Sequence, residues 1–315
     1  MAKEQFKTMI GGQALIEGIM MRGPQKDAIV VRNKDGLQIE VSDRKQRKKG
    51  SFTTWPLIRG VVNFFDAQVC GVKALMRSAD LSLEEEEKKE DSGKFQKAAV
   101  GLAVAFGMGL SILLFFVLPM VIAGFLDGVI TNPLLLNLAE GLVRIIIFVT
   151  YLLLVSCMKD MKRVFAYHGA EHKTIRCYEA KLPLTVENVR EQTRLHPRCG
   201  TSFLLVVMVL SILLFSVATS LLLAVIPGLA AMQGTFLYRL ILIVCKLMML
   251  PLVVAIAYEI NRWAGRHDNF VTKILTAPGM WFQNFTTKEP DDSMIEVGIA
   301  SLQAVAPEEE GSDLW

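Results

Sequence analysis

Two stretches without a single charged side chain limit what this chain can become: Ala98 to Leu126 and Cys199 to Tyr238. About 20 apolar residues cross the hydrocarbon core of a bilayer, so an uncharged run longer than 18 predicts a transmembrane helix. Composition agrees. Hydrophobic residues make up 52% of the chain and charged ones 21%, with a mean hydropathy of +0.39; soluble domains hold about 45–50% and about 25%. Four spans are predicted, over 98–126, 136–158, 201–226 and 238–258. Pro227-Gly228 divides the second uncharged run, a turn signal where the helix must reverse.

Lys and Arg set the orientation. Residues 1–97 carry 18, the loop 159–198 carries nine, and the tail after 259 carries four, while the connections 127–135 and 227–237 carry none. The positive-inside rule places both termini and the 159–198 loop in the cytoplasm of an inner-membrane protein. The expected fold class is an α-helical multi-pass membrane protein with four transmembrane helices and a cytoplasmic α+β region. That region is drawn from 1–97, 159–200 and 259–315, with spans in 98–158 and 201–258. A net charge of +3 is too small to argue for nucleic acid as a partner. The five cysteines form no CxxC pair and no disulfide framework, and the first residues lack the apolar stretch of a signal peptide.

Within residues 1–97, Ala28–Arg32 and Leu37–Val41 flank Asn33-Lys34-Asp35-Gly36 and predict a β-hairpin. Pro56 suits the first turn of a helix. Apolar positions 58, 61, 65, 69, 72 and 76 then recur at helical spacing, a face expected to pack on the cytoplasmic domain or else to lie in the bilayer interface. The basic cluster at 44–49 and the acidic-basic run at 84–91 are expected to be solvated. Four charges fall inside the spans. Glu140 and Arg144 have the spacing of a helical ion pair, Arg239 is expected to snorkel, and Lys246 needs a partner in the bundle.

The chemistry-bearing residues cluster in the 159–198 loop. Three of the four histidines fall within 29 residues. His168, Glu171 and His172 form H-x-x-E-H, a zinc-protease spacing. On a helix, positions 168 and 172 lie about 40° apart around the axis, and Glu171 lies about 60° from His168. Gly169 weakens the helix expectation. His196-Pro197-Arg198-Cys199-Gly200 has the spacing of one zinc knuckle, with histidine in place of the first cysteine. A short helix from Thr185 to near Leu195 folds the two half-sites together. Four ligands (His168, His172, His196, Cys199) make a closed structural zinc. Three ligands plus Glu171 as general base make a hydrolytic site. Glu259 and His267, just past the fourth span, are further candidates.

Several motifs resemble the YqhQ-like family of bacterial integral membrane proteins of unknown function. They are Gly11-Gly12-Gln13-Ala14 through Gly23-Pro24, Gly169-Ala170-Glu171-His172-Lys173-Thr174, His196–Ser202, Pro278–Gln283 and Thr286–Asp292. The resemblance implies that the N-terminal segment and the tail belong to the domain, and that the protein is a predicted metal-dependent enzyme. Gln13, Glu17 and Arg22 become candidates for contacts with the metal region, and residues 291–304 a terminal amphipathic segment. The expected function is therefore a zinc-dependent hydrolase at the cytoplasmic membrane face. The alternative is a non-enzymatic partner of a membrane-protein insertion or translocation assembly, holding a structural zinc. A transporter has least support, since no pair of broken helices occurs in matching halves.

Overall fold

The computed structural model describes residues 6–44, 50–82, 93–126, 129–130, 132–307 and 311–314. The basic cluster from 45 onward, the 84–91 run and residues 308–310 lie outside them. Among the described residues, four helices are long and apolar enough to cross a membrane: Gly101–Gly124, Leu134–Cys157, Gly200–Val225 and Phe236–Arg266. The first comprises the end of α2 (Gly93–Ile112), one π-helical turn (Leu113–Val117) and α3 (Leu118–Gly124). The others are α4 (Pro133–Cys157), α7 (Gly200–Val225) and α9 (Phe236–Arg266). The last runs eight residues beyond the expected limit of 258. Leu102, Phe106, Leu154, Leu221 and Met248 all face outward, so these helices are apolar on their exposed sides too. Between α7 and α9, Pro227 opens the one-turn helix α8 (Pro227–Ala230) at the reversal.

At one end of this bundle, three further helices pack on a four-stranded antiparallel sheet, β1 (Gly11–Leu15), β2 (Gly18–Arg22), β3 (Lys26–Asn33) and β4 (Gly36–Asp43), in that order. The predicted hairpin is β3–β4, closed by the pair Asn33↔Gly36. The Gly11-Gly12-Gln13-Ala14 segment, given no strand by its sequence, forms β1 and pairs with β2. Alternation sorts the sheet's side chains. Ile19, Met21, Ala28 and Val30 meet Tyr167 and Ala170 of α5 (Lys159–Glu179) and Val297 and Leu302 of α11 (Asp292–Val305). Leu15 and Met20 on the other face meet Ala74 of α1 (Ile58–Ser82). Each fully buried Ile, Leu or Val in such a core contributes about 1.5–3 kcal/mol.

The apolar row of α1 faces the other way from the packing expectation. Phe65, Val69 and Val72 are 58%, 55% and 43% exposed, whereas Gly60, Gly71, Ala74 and Ser78 are buried against the sheet and α9. Small residues allow close approach to protein. The large ones are left outward, where only an apolar solvent or partner suits them. Helical periodicity reveals two faces but not which one meets the fold.

The tail contributes two helices. α10 (Phe270–Thr286) begins at an Asn269–Thr272 capping box and contains Pro278; it had no counterpart among the predicted elements. α11 starts at Asp291, whose side chain caps Met294 N–H at 3.0 Å, matching the expected terminal segment. The segment before β1 meets residues beyond α11 as well: Met9 N–H donates to Asp313 O at 2.7 Å.

Candidate metal centre

The site is built on α5. Its twenty-one residues carry His168, Glu171 and His172 on the side facing a cleft of about 360 Å³, whose other wall includes Gly12 of β1 and Cys199. Gly169 does not interrupt the helix. A Cβ there would lie 2.0 Å from Lys288 O, because the segment after α10 crosses α5 in contact with its backbone. Lys288 N–H donates to Phe165 O at 2.7 Å. Gly169→Ala is therefore expected to destabilise the protein by about 1–3 kcal/mol through overpacking. That outweighs the roughly 1 kcal/mol that alanine gains over glycine in a helix. A melting temperature equal to wild type would show that the crossing segment has room to shift.

Cys199 enters from the N-terminus of α7, where its Sγ accepts from Thr201 N–H at 3.5 Å and Thr201 Oγ1–H at 3.3 Å. His168 Nε2 lies 3.2 Å from this sulfur. His168, His172 and Cys199 each offer one donor atom, and the three atoms lie within 4.8 Å of one another. The other ring nitrogens fix the tautomers. His168 Nδ1 is 2.8 Å from Thr286 O, and His172 Nδ1 is 2.6 Å from Arg194 O. A carbonyl can only accept, so both Nδ1 atoms carry hydrogen and both Nε2 atoms keep their lone pairs for the cleft. Backbone carbonyls on the far ring nitrogen orient metal-ligating histidines in this way. A tetrahedral zinc with bonds near 2.0–2.3 Å would hold its donors about 3.3–3.6 Å apart; the His168–Cys199 pair, at 3.2 Å, is close to that, within a trio that lies inside 4.8 Å.

Glu171 lies beside this trio, buried, with Oε1 accepting from Gly12 N–H at 3.0 Å. A Cβ on Gly12 would sit 2.6 Å from Met20 O and 3.1 Å from Glu171 Cδ, so only glycine lets the strand reach the carboxylate. Burial is the main reason that the Glu171 pKa is pushed up to about 7, with Cys199 adding to it and His168 and the Gly12 amide opposing. Burial drives His172 down, toward the neutral ring. For Cys199, burial acts upward but is outweighed by His172 and the Thr201 hydrogen bonds, which hold the thiol below its ordinary range.

His196 does not join the trio. Its Nε2 lies 3.4 Å from Glu179 Oε2. Its backbone is clamped by Gln283, which accepts from His196 N–H and donates to His196 O, both at 2.7 Å. Glu179 also accepts from Thr8 N–H at 2.9 Å and pairs with Arg198. Burial raises its pKa, but His196 and Arg198 overcome that and hold the carboxyl low. The linking helix, α6 (Val186–Arg190), starts at Thr185 as expected and ends at Arg190, short of Leu195.

The remaining candidates are engaged elsewhere. Glu17 pairs with Arg163, Arg22 with Asp27 and Asp66, and Glu259 with Arg59. His267 Nδ1 lies 2.9 Å from Trp263 O. Gln13 is the exception: it lines the same cleft, with its amide against Gly71 of α1. Residue type and spacing do not single out Thr286, Arg194 and Gln283. All three act through or upon backbone groups, which leave no residue-type signature. The Pro278–Gln283 and Thr286–Asp292 motifs were the one sign that the tail mattered.

A family model described as a protein of unknown function (DUF1385) matches residues 55–308. The chain is also 32% identical, over 96% of its length and 93% of the relative's, to the uncharacterized protein YqhQ of Bacillus subtilis (strain 168). No solved structure matches it.

Proposed function

The chain belongs to the DUF1385 family of proteins of unknown function, and from that premise we propose that it is a zinc-dependent, hydrolase-like enzyme of the bacterial inner membrane. Its four apolar helices span the bilayer, and both termini and the site lie on the cytoplasmic side. The exposed apolar row of α1 then rests in the bilayer interface, the alternative that its sequence left open. His168, His172 and Cys199 are the zinc ligands and Glu171 is the general base.

One observation carries this reading: two oriented imidazole lone pairs and one sulfur converge on an open cleft beside a buried carboxylate. Three ligands leave a coordination position for substrate, whereas a closed structural site uses four. His196, turned to Glu179, does not complete a fourth. When bound, zinc supplies Lewis acidity toward an oxygen of water or substrate. Glu171 takes the proton from water entering the cleft, and the Gly12 amide keeps its carboxylate in place.

Metal analysis of protein purified from zinc-supplemented medium tests the ligand set. About one zinc per chain is expected, with loss in His172→Ala and Cys199→Ser and retention in His196→Asn. Wild-type protein without stoichiometric zinc would sink the reading. Loss of zinc in His196→Asn would instead restore the closed four-ligand site and, with it, the non-enzymatic role in a membrane assembly.

A further inference from the structure

A second cleft of about 250 Å³ adjoins the metal site and shares His196 and Arg198 with it. Lys7, Arg176, Arg198 and Lys273 line it against two carboxylates, Glu179 and Asp268, leaving an excess of positive charge. Glu179 is already occupied by Arg198, Thr8 and His196. Arg176 uses Nε on Leu195 O at 2.6 Å, and no carboxylate among the described residues hydrogen-bonds to it. The rest of this half-buried guanidinium is left to the cleft. A neighbouring cavity of about 240 Å³ adds Arg262 and Arg266, meeting the metal cleft at Met9 and the basic cleft at Asn261.

The surroundings say what kind of anion fits. The cleft lies where α9, a membrane-length helix, ends at Arg266 and α10 begins at Phe270. On α10, Thr272, Lys273 and Thr276 turn to the cleft, while Phe270, Ile274 and Trp281 are 77%, 55% and 58% exposed. An apolar row beside basic groups, with tryptophan among them, suits a helix lying at headgroup depth. A free metabolite needs the cations but has no use for the apolar row. An anionic lipid uses both.

We propose that this cleft binds the phosphate headgroup of an anionic membrane lipid and so presents an anionic amphiphile to the adjoining metal site. This names a substrate class for the proposed enzyme and rests on that reading, although headgroup binding itself requires only the cleft. The Arg176 guanidinium offers a planar fork to phosphate oxygens, Lys7 and Lys273 add point charges, and Arg198, paired with Glu179, holds that carboxylate away from the ligand.

The test titrates full-length protein in a neutral maltoside detergent with dihexanoyl phosphatidylglycerol, dihexanoyl phosphatidylcholine or inorganic phosphate, following the melting temperature. Phosphatidylglycerol is expected to raise it saturably, by about 4 °C or more at high excess, with smaller shifts from the other two probes. Lys273→Gln, an exposed change that leaves the fold alone, and Arg176→Gln should each raise the half-saturating concentration about fivefold or more. An equal response to phosphatidylcholine, an equal response to phosphate alone, or wild-type behaviour in both variants would overturn the proposal. The same titration on Cys199→Ser separates the two readings. There the lipid response should persist without zinc. Its loss in zinc-loaded wild type defeats this proposal alone, and its persistence in a wild type that holds no zinc defeats only the enzyme.

Discussion

Glu171→Gln is expected to abolish function, by about 10²–10⁴-fold in any rate that depends on proton transfer at the site, while leaving fold and zinc content unchanged. The substitution keeps the shape of the side chain and an oxygen able to accept from Gly12 N–H, 3.0 Å away. What it removes is the basic lone pair that receives a proton. A merely structural Glu171, holding β1 against α5, would tolerate the change. The comparison is complementation of a deletion strain under conditions where growth requires the gene, together with melting temperature and metal content of the purified variant. Full complementation by Glu171→Gln removes this hydrolytic mechanism, whatever the zinc does.

The second large effect lies within the bundle. Glu140 accepts from Arg144 Nη2 at 2.7 Å and from Lys246 Nζ at 2.7 and 2.6 Å. Arg144 also donates from Nε to Phe115 O at 2.8 Å, in the π-helical turn, with its guanidinium 5.5 Å from the Phe116 ring centre and 5.6 Å from that of Phe215. One anion thus holds two cations contributed by α4 and α9, in surroundings where all three are buried. Glu140→Ala leaves both cations uncompensated and should cost about 3–5 kcal/mol. Lys246→Met leaves a neutral Glu140–Arg144 pair and should cost much less. Melting curves in detergent decide the order. If Lys246→Met proves as damaging as Glu140→Ala, charge balance is not what this cluster provides.

What the sequence made legible follows from local periodicity. Lengths of predominantly apolar chain predict four helices because bilayer thickness dictates them, and H-x-x-E-H predicts a shared face because the helical repeat dictates it. Glu140 and Arg144 were recognisable as a pair for the same reason. Lys246 was not recognisable as their partner, since it reaches them from another helix, 106 residues away. The His196–Cys199 spacing announced a tight turn but not which side chains would point into the cleft. Glu179, 17 residues before His196, decides that by capturing the imidazole. β1 was invisible because Gly11 and Gly12 lower strand propensity, and pairing with β2 overrides that preference. α10 was hidden by Pro278 and Gly279, which argue against a helix interior.

The carbonyl that holds His168 in position has a consequence for the order of events during synthesis. All three donors have been made once the chain reaches Cys199, yet the group that orients the first of them is Thr286 O, 118 residues beyond His168. A chain that stops before Thr286 has the full set of donors, and Arg194 O for His172, but lacks the carbonyl that aims His168. On the proposed zinc reading, the fully oriented donor set is therefore available only late in translation, after all four apolar helices have been produced.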